Sequence, residues 1–279
     1  MFSYLLPTII PLPRGYECSA IIRTKLVKNL LLKEERCKIN FNFKVYGNGK
    51  LIDEQNILKI LSKNEECPNI HFRTTINKNN FNCHCYCELY IHSPEKIAIF
   101  SERKTINYYP FCHDKNKKTF FSDTSYKYGS PSIIFGMAYF KKYVETYSVF
   151  HINKERDLGE SLLFTNPYDK KILVRFKTSD NREIKPLIIN PKHAIDLDLK
   201  CILNDEEKEW KGHIQLWANN RVGMFNFKHS FQDPTLISDL EHLDPYRAEQ
   251  THLRFFQILR SQLGNKINLI KHTLNAKRY

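Results

Sequence analysis

The chain has 279 residues, a formal net charge of +13, 42% apolar residues and 13% aromatic residues. That apolar share excludes an intrinsically disordered chain, and no run approaches the ~18 uninterrupted apolar residues of a membrane-spanning helix. The length suits two domains of roughly 100–200 residues each, and 19 Phe with 15 Tyr favour strands.

Residues 1–15 hold Pro7, Pro11 and Pro13 and read as an N-terminal arm or edge strand. They lack the basic n-region of a signal peptide. A first domain is expected over 16–128, opening with a strand at Cys18–Thr24. Lys38–Val45 alternates strictly and puts Ile39, Phe41, Phe43 and Val45 on one face. Asn48-Gly49 then marks a hairpin, because both residues tolerate positive φ. Leu51–Ile60 returns as a strand, ending in a short helical turn through Leu61. Asn69–Ile76 is another strand. Phe81–Ile91 and Lys96–Phe100 form a second hairpin across Ser93-Pro94-Glu95. Tyr108–Lys118 reads as irregular loop. A connector over 129–146 contains the apolar run Ser132–Phe140, expected as a buried strand.

A second domain is expected over 147–250. Ser148–Ile152 and Glu160–Tyr168 read as strands, Ile172–Lys177 and Ile184–Ile189 as a hairpin around Ser179–Asn181, and Ala194–Leu199 alternates. Gly212–Leu216 and Arg221–Phe227 make the next hairpin. The tail, 251–279, changes period: Leu253, Phe256, Leu259 and Leu263 share a helical face, and Gly264 suits a C-cap.

A weak internal repeat links the halves. Phe43–Leu51 aligns with Phe176–Ile184, Cys87–Phe100 with Gly212–Phe225, and Thr119–Asp123 with Thr235–Asp239, in the same order. A period of about 120 residues is a duplicated domain rather than a solenoid unit, whose periods run roughly 20–50 residues. Short strands at regular spacing with turn residues between them indicate antiparallel sandwiches. The expected fold is therefore all-β: two tandem, duplicated antiparallel β-sandwich-like domains, with a C-terminal α-helix packed on the second.

Two clusters could carry chemistry. Cys83-His84-Cys85-Tyr86-Cys87 puts three thiols on one face of a strand, and zinc would need a fourth ligand such as Cys112 or His113. In the repeat, Cys85 and Cys87 align with Trp210 and Gly212, beside apolar positions, which favours core packing. The second cluster is a loop at 238–252 after the last strand, holding Asp239, Glu241, His242, Asp244, Arg247 and His252. Such density could hold a divalent metal or place a His beside a carboxylate for proton transfer. A capped, hydrogen-bonded loop uses the same residue types. The first half has no counterpart to this continuation, so a specific function would have been added here. Trp217 is expected exposed at its hairpin, where it could stack on a sugar or base.

No P-loop, dinucleotide fingerprint or nucleophile elbow occurs, and no cofactor is expected. The 30 Lys outnumber 13 Arg and are scattered, which argues against sequence-specific nucleic-acid binding, where Arg supplies the bidentate fork. Seven of eight Cys lie in the first 112 residues and do not repeat, so a reduced, cytoplasmic protein is expected rather than a disulfide scaffold. The expected function is a non-enzymatic binding or assembly protein. It would recognise a protein or an anionic polymer, a glycan included, through end loops of the second domain and Trp217. The rival is a metal-dependent enzyme using residues of 239–252.

Overall fold

The computed structural model describes residues 2–14, 16–22, 36–62, 69–74, 83–93, 108–113, 119–121, 144–145, 148–167, 169, 171–219 and 222–243. In chain order the strands are β1 (Phe2–Leu12), β2 (Glu17–Ile22), β3 (Arg36–Gly47), β4 (Lys50–Ser62), β5 (Ile70–Arg73), β6 (Cys85–Ser93), β7 (Tyr108–His113) and β8 (Thr119–Phe121). There follow β9 (Val144–Glu145), β10 (Phe150–Asn153), β11 (Leu158–Thr165), β12 (Ile172–Thr178), β13 (Glu183–Ile189) and β14 (Ala194–Asp198). The last are β15 (Glu209–Gly212), β16 (Ile214–Ala218), β17 (Gly223–Ser230) and β18 (Ile237–His242). Among the described residues there is no α-helix, only one 3-10 turn at Leu199–Ile202. The fold is all-β and antiparallel.

Four sheets form. Strands β1-β6-β3-β4 make the first and β5-β2-β7-β8 the second. Strands β13-β12-β16-β9 make the third, and β15-β10-β11-β17-β18 the fourth, with β14 also on β11. Alternation in β3 sends Ile39, Phe41, Phe43 and Val45 into the core, all fully buried. Phe43 stacks on Phe72 of β5 at 4.5 Å, so the first two sheets pack face to face. Phe164 of β11 meets Phe176 of β12 at 5.3 Å and joins the other two. Each such buried Phe contributes roughly 1.5–3 kcal/mol through area removed from water.

The two sheet pairs follow one connectivity. Strands β1, β6, β3 and β4 stand in the order of β9, β16, β12 and β13; β5, β2, β7 and β8 stand in the order of β14, β11, β17 and β18. Strands β10 and β15 are extra. The registers correct the residue-level repeat. Phe43 pairs with Leu89, but Phe176 pairs with Leu216, not with Ile214. The first two aligned blocks are thus out of step by two residues. A shift of two keeps every side chain on its own face, so alternation alone does not reveal it.

Three local expectations are corrected. Residues 108–113 form β7, because β2 and β8 supply their hydrogen-bonding partners. Pro110 sits where β8 does not pair, since β8 meets only Phe111–His113. No helical turn ends β4, which stays extended through Ser62 opposite Arg36. The stretch 238–242 is strand, not loop. The expected strands at 96–100 and 132–140 and the helix within 251–279 lie outside the described residues. No helix among the described residues is long and apolar enough to cross a membrane.

The halves are joined by specific contacts. Lys192 Nζ lies 3.0 Å from Glu88 Oε1 and donates to the Pro167 carbonyl at 2.6 Å. The Tyr86 hydroxyl lies 3.3 Å from the Asn166 carbonyl oxygen. His84 packs its ring on Phe227 and approaches Asp196 at 3.5 Å. The Tyr16 hydroxyl donates to the Thr235 carbonyl and accepts from the Ile237 N–H. Together these hold the β17–β18 hairpin against the segment entering β2.

Candidate functional site

The candidate site starts from the β17–β18 hairpin. Its turn is built by short polar side chains: Asp233 accepts from the Thr235 N–H and hydroxyl, and Asp157 accepts from Ser230 Oγ and the Gln232 N–H. That turn fixes β18 on β17 with Lys228 opposite Asp239 and Asn226 opposite Glu241. Leu240 lies opposite Phe227 and is buried, so Asp239 and Glu241 take the other face. Sequence reasoning missed this because dense charge hides a period-2 pattern six residues long.

On that face Lys228 Nζ lies 3.1 Å from Asp239 Oδ2 and 3.3 Å from Glu241 Oε1. Burial pulls the ammonium pKa down, but the Asp239 hydrogen bond and the two carboxylate charges outweigh it and hold Lys228 above the ordinary lysine value. The three side chains stay 37–47% exposed. The row continues inward. Glu160 of β11 stands opposite Lys228 and is buried. It accepts from the His151 backbone N–H at 3.0 Å and from Asn226 Nδ2 at 2.8 Å. Desolvation raises the Glu160 pKa, Glu241 raises it further, and the two hydrogen bonds and Lys228 pull against that. The Asn226 Oδ1 is buried with no hydrogen-bond partner. His151 Nε2 lies 2.5 Å from Glu209 Oε1 on β15.

Glu160, Asn226, Lys228, His151 and Glu209 were not singled out from sequence. A carboxylate inside the apolar run Leu158–Thr165 was the one visible signal. Its donors are the His151 N–H, nine residues away, and Asn226, 66 residues away in the chain.

The remaining predicted residues scatter. His242 ends β18 opposite Phe225. Asp244, Arg247 and His252 lie outside the described residues. Trp217 sits on β16, half-buried rather than exposed, with the Arg175 guanidinium 5.3 Å from its ring. It is in the third sheet and is not brought to the β18 row. Cys85 and Cys87 are buried on the face of Leu89, and Cys83 is half-buried. Burial, with Cys83 nearby, pushes the Cys85 thiol up to about 12, and burial raises Cys87 well above the ordinary value. Both are free thiols that burial favours in the protonated form.

Chemically, the row is a surface of hydrogen-bond acceptors. Glu209, Asp239 and Glu241 offer partly exposed carboxyl oxygens, while buried Glu160 already accepts on both of its own. Lys228 already fills the place between Asp239 and Glu241 where a cation would sit. One arrangement has the order of a nucleophile and its base: Ser161 Oγ lies 2.8 Å from His229 Nε2, and His229 Nδ1 lies 2.8 Å from the Ser230 carbonyl. The carbonyl accepts a hydrogen bond from Nδ1–H, so Nε2 accepts from the serine hydroxyl. Both residues are under 5% exposed, and substrate has no approach to them; the pair satisfies buried polar groups.

No family model and no curated protein matches the chain.

Proposed function

We propose that this chain is a non-enzymatic binding or assembly protein, in which two copies of one β-sandwich unit are packed together. Its partner is a protein, met by the exposed edge of the fourth sheet that carries Lys228, Asp239 and Glu241. The observation behind this reading is the placement of Lys228 between two partly exposed carboxylates. An internal ion pair of this kind fixes side chains in one geometry without leaving room for a metal. It presents partly exposed carboxylates to N–H donors and cationic side chains. The same acceptor surplus repels phosphate, sulfate and uronate groups, so of the two partner classes the anionic polymer fits this face poorly despite the net charge of +13. The matched connectivity of the sheet pairs supports the duplication, and the free thiols of Cys85 and Cys87 fit a reducing compartment.

Affinity capture with the full chain and with Asp239→Ala/Glu241→Ala tests it. Loss of the captured partner in the variant, with unchanged melting, supports the reading. Equal capture by both chains removes it.

A further inference from the structure

A separate polar surface lies on the first half of the chain. Strand β3 alternates strictly, with Phe41 and Phe43 turned into the core, so Asn40, Asn42 and Lys44 take the outer face of the first sheet. They stand opposite Leu58, Asn56 and Glu54 of β4 in that order. On the other side of β3, His92 of β6 stands opposite Asn40, and Tyr90 opposite Asn42.

Among the described residues, two buried polar atoms on this face have no hydrogen-bond partner: Asn42 Oδ1 and His92 Nδ1. Asn42 is only 4% exposed. Its donors fix the direction of its amide. Asn42 Nδ2 donates to Asn56 Oδ1 at 2.8 Å and to Glu54 Oε1. Both amide hydrogens thus go to β4, and the carbonyl oxygen lies on the β6 side, where His92 is the diagonal neighbour. Asn40 Nδ2 also donates to Asn56 Oδ1, at 2.9 Å, and holds the row in place. Buried acceptors without donors are destabilising and uncommon in folded chains.

The charges around this pair offset one another. Lys44 Nζ lies 3.9 Å from Glu54 Oε1 and 5.2 Å from the Tyr90 ring centre. Burial, followed by the Lys44 charge, holds the His92 imidazole below its ordinary pKa against the pull of Glu54. At neutral pH the ring is therefore uncharged, with one nitrogen able to donate. Neither an anion nor a cation is favoured here. A hydroxyl group is, because it donates to Asn42 Oδ1 and accepts from His92 Nδ1–H. Beside the pair, Asn56 is exposed and Leu58 is 56% exposed. A ligand reaching these atoms meets amides along one line and an aliphatic surface next to it. A sugar ring presents the matching pattern, hydroxyls on its rim and C–H groups on its faces.

The geometry points to a site for a neutral saccharide on the outer face of the first sheet, with a ring hydroxyl between Asn42 Oδ1 and His92 Nδ1 and C–H groups against Leu58. The site shares no residue with the β18 row and does not depend on it.

Binding of the full chain to an array of neutral oligosaccharides, drawn from glucans, mannans, galactans and chito-oligosaccharides, tests it at low and high salt. Wild type is expected to bind at least one probe with an affinity that salt leaves unchanged, since no charge is matched. Asn42→Leu and His92→Phe should each weaken binding of that probe about tenfold, with melting unchanged. If either variant fails to fold, amide hydrogen exchange of wild type with and without the probe decides. Protection in β3, β4 and β6 supports the site, and protection confined to other strands overturns it. A wild type that binds no probe overturns it as well, the two atoms then holding a buried water only. Binding that both folded variants retain, or that salt abolishes, does the same.

Discussion

Lys192 Nζ and Glu88 Oε1 lie 3.0 Å apart although the residues are 104 positions apart in the chain. Glu88 is fully buried, and Tyr90 and Tyr86 also donate to its carboxylate. The Lys192 ammonium stands 5.0 Å from the Tyr46 ring centre, and burial with the Glu88 charge pushes the Tyr46 phenol up to about 12. A carboxylate without water needs its whole set of donors. Removing Lys192 leaves a buried charge short of its counter-ion.

Lys192→Met should therefore cost about 3 kcal/mol, in the range for breaking one side of a buried ion pair. Glu88→Gln/Lys192→Met should recover most of that loss, because the neutral amide still accepts from the tyrosines. Urea unfolding of the three chains checks it. A double variant less stable than the single one would contradict the assignment of the loss to the unpaired charge.

The hairpin between β3 and β4 makes a second stability prediction. Asn48 and Gly49 have φ of 49° and 76°, a type I′ turn. A Cβ on Gly49 would stand 2.6 Å from His193 Cε1 and 3.3 Å from the Pro191 carbonyl. Gly49→Ala should destabilise by about 1–3 kcal/mol from backbone strain, besides displacing His193. It also disturbs the Gly49 N–H to Lys192 carbonyl bond, so this loss and that of Lys192→Met should be less than additive. A double-mutant cycle measures the coupling.

Glu160 sets a pH dependence of defined sign. Its folded pKa is raised above the ordinary 4.5. Between those two values the folded chain keeps a proton that the unfolded chain has released. Its contribution is therefore full below 4.5 and is lost as pH rises through the folded value. Glu160→Gln should remove that slope and leave the protein at least as stable as wild type at pH 7. Urea midpoints of both chains from pH 4.5 to 8 test this; an unchanged slope in the variant would assign it elsewhere.

Thiol reactivity follows from burial. With its pKa pushed to about 12, Cys85 is roughly 10⁻⁴ thiolate at pH 8, and the thiolate is the reacting form. Cys87 is raised as well and fully buried; desolvation raises Cys201 too, but its side chain is exposed to reagent. Iodoacetamide on the native chain should modify Cys201 well before Cys85 or Cys87, as read by peptide mass. Equal rates would mean that β6 opens readily.

What the sequence disclosed divides by range. The β3–β4 hairpin was legible because its turn residues and its alternation are local. The core position of Cys85 and Cys87 followed from the apolar positions on either side. The β18 row was only half legible: Asp239 and Glu241 stood out by composition, but their strand and their partner Lys228 depend on cross-strand pairing. Glu160, Asn226 and His151 joined the site for the same reason. The Lys192–Glu88 pair had no sequence signal at all. The two aligned blocks near Phe43 and Phe176 are two residues out of step in the sheet registers, since period-2 patterns look alike at every even shift.

The most direct test of the binding surface is zero-length carbodiimide crosslinking of the full chain with its captured partner, mapped by peptide mass. Carbodiimide joins carboxylates to amines in direct contact. The account predicts bonds from Asp239 or Glu241 to lysines of the partner protein. Crosslinks found only at other carboxylates of the chain, with Asp239 and Glu241 unmodified by partner peptides, would contradict it.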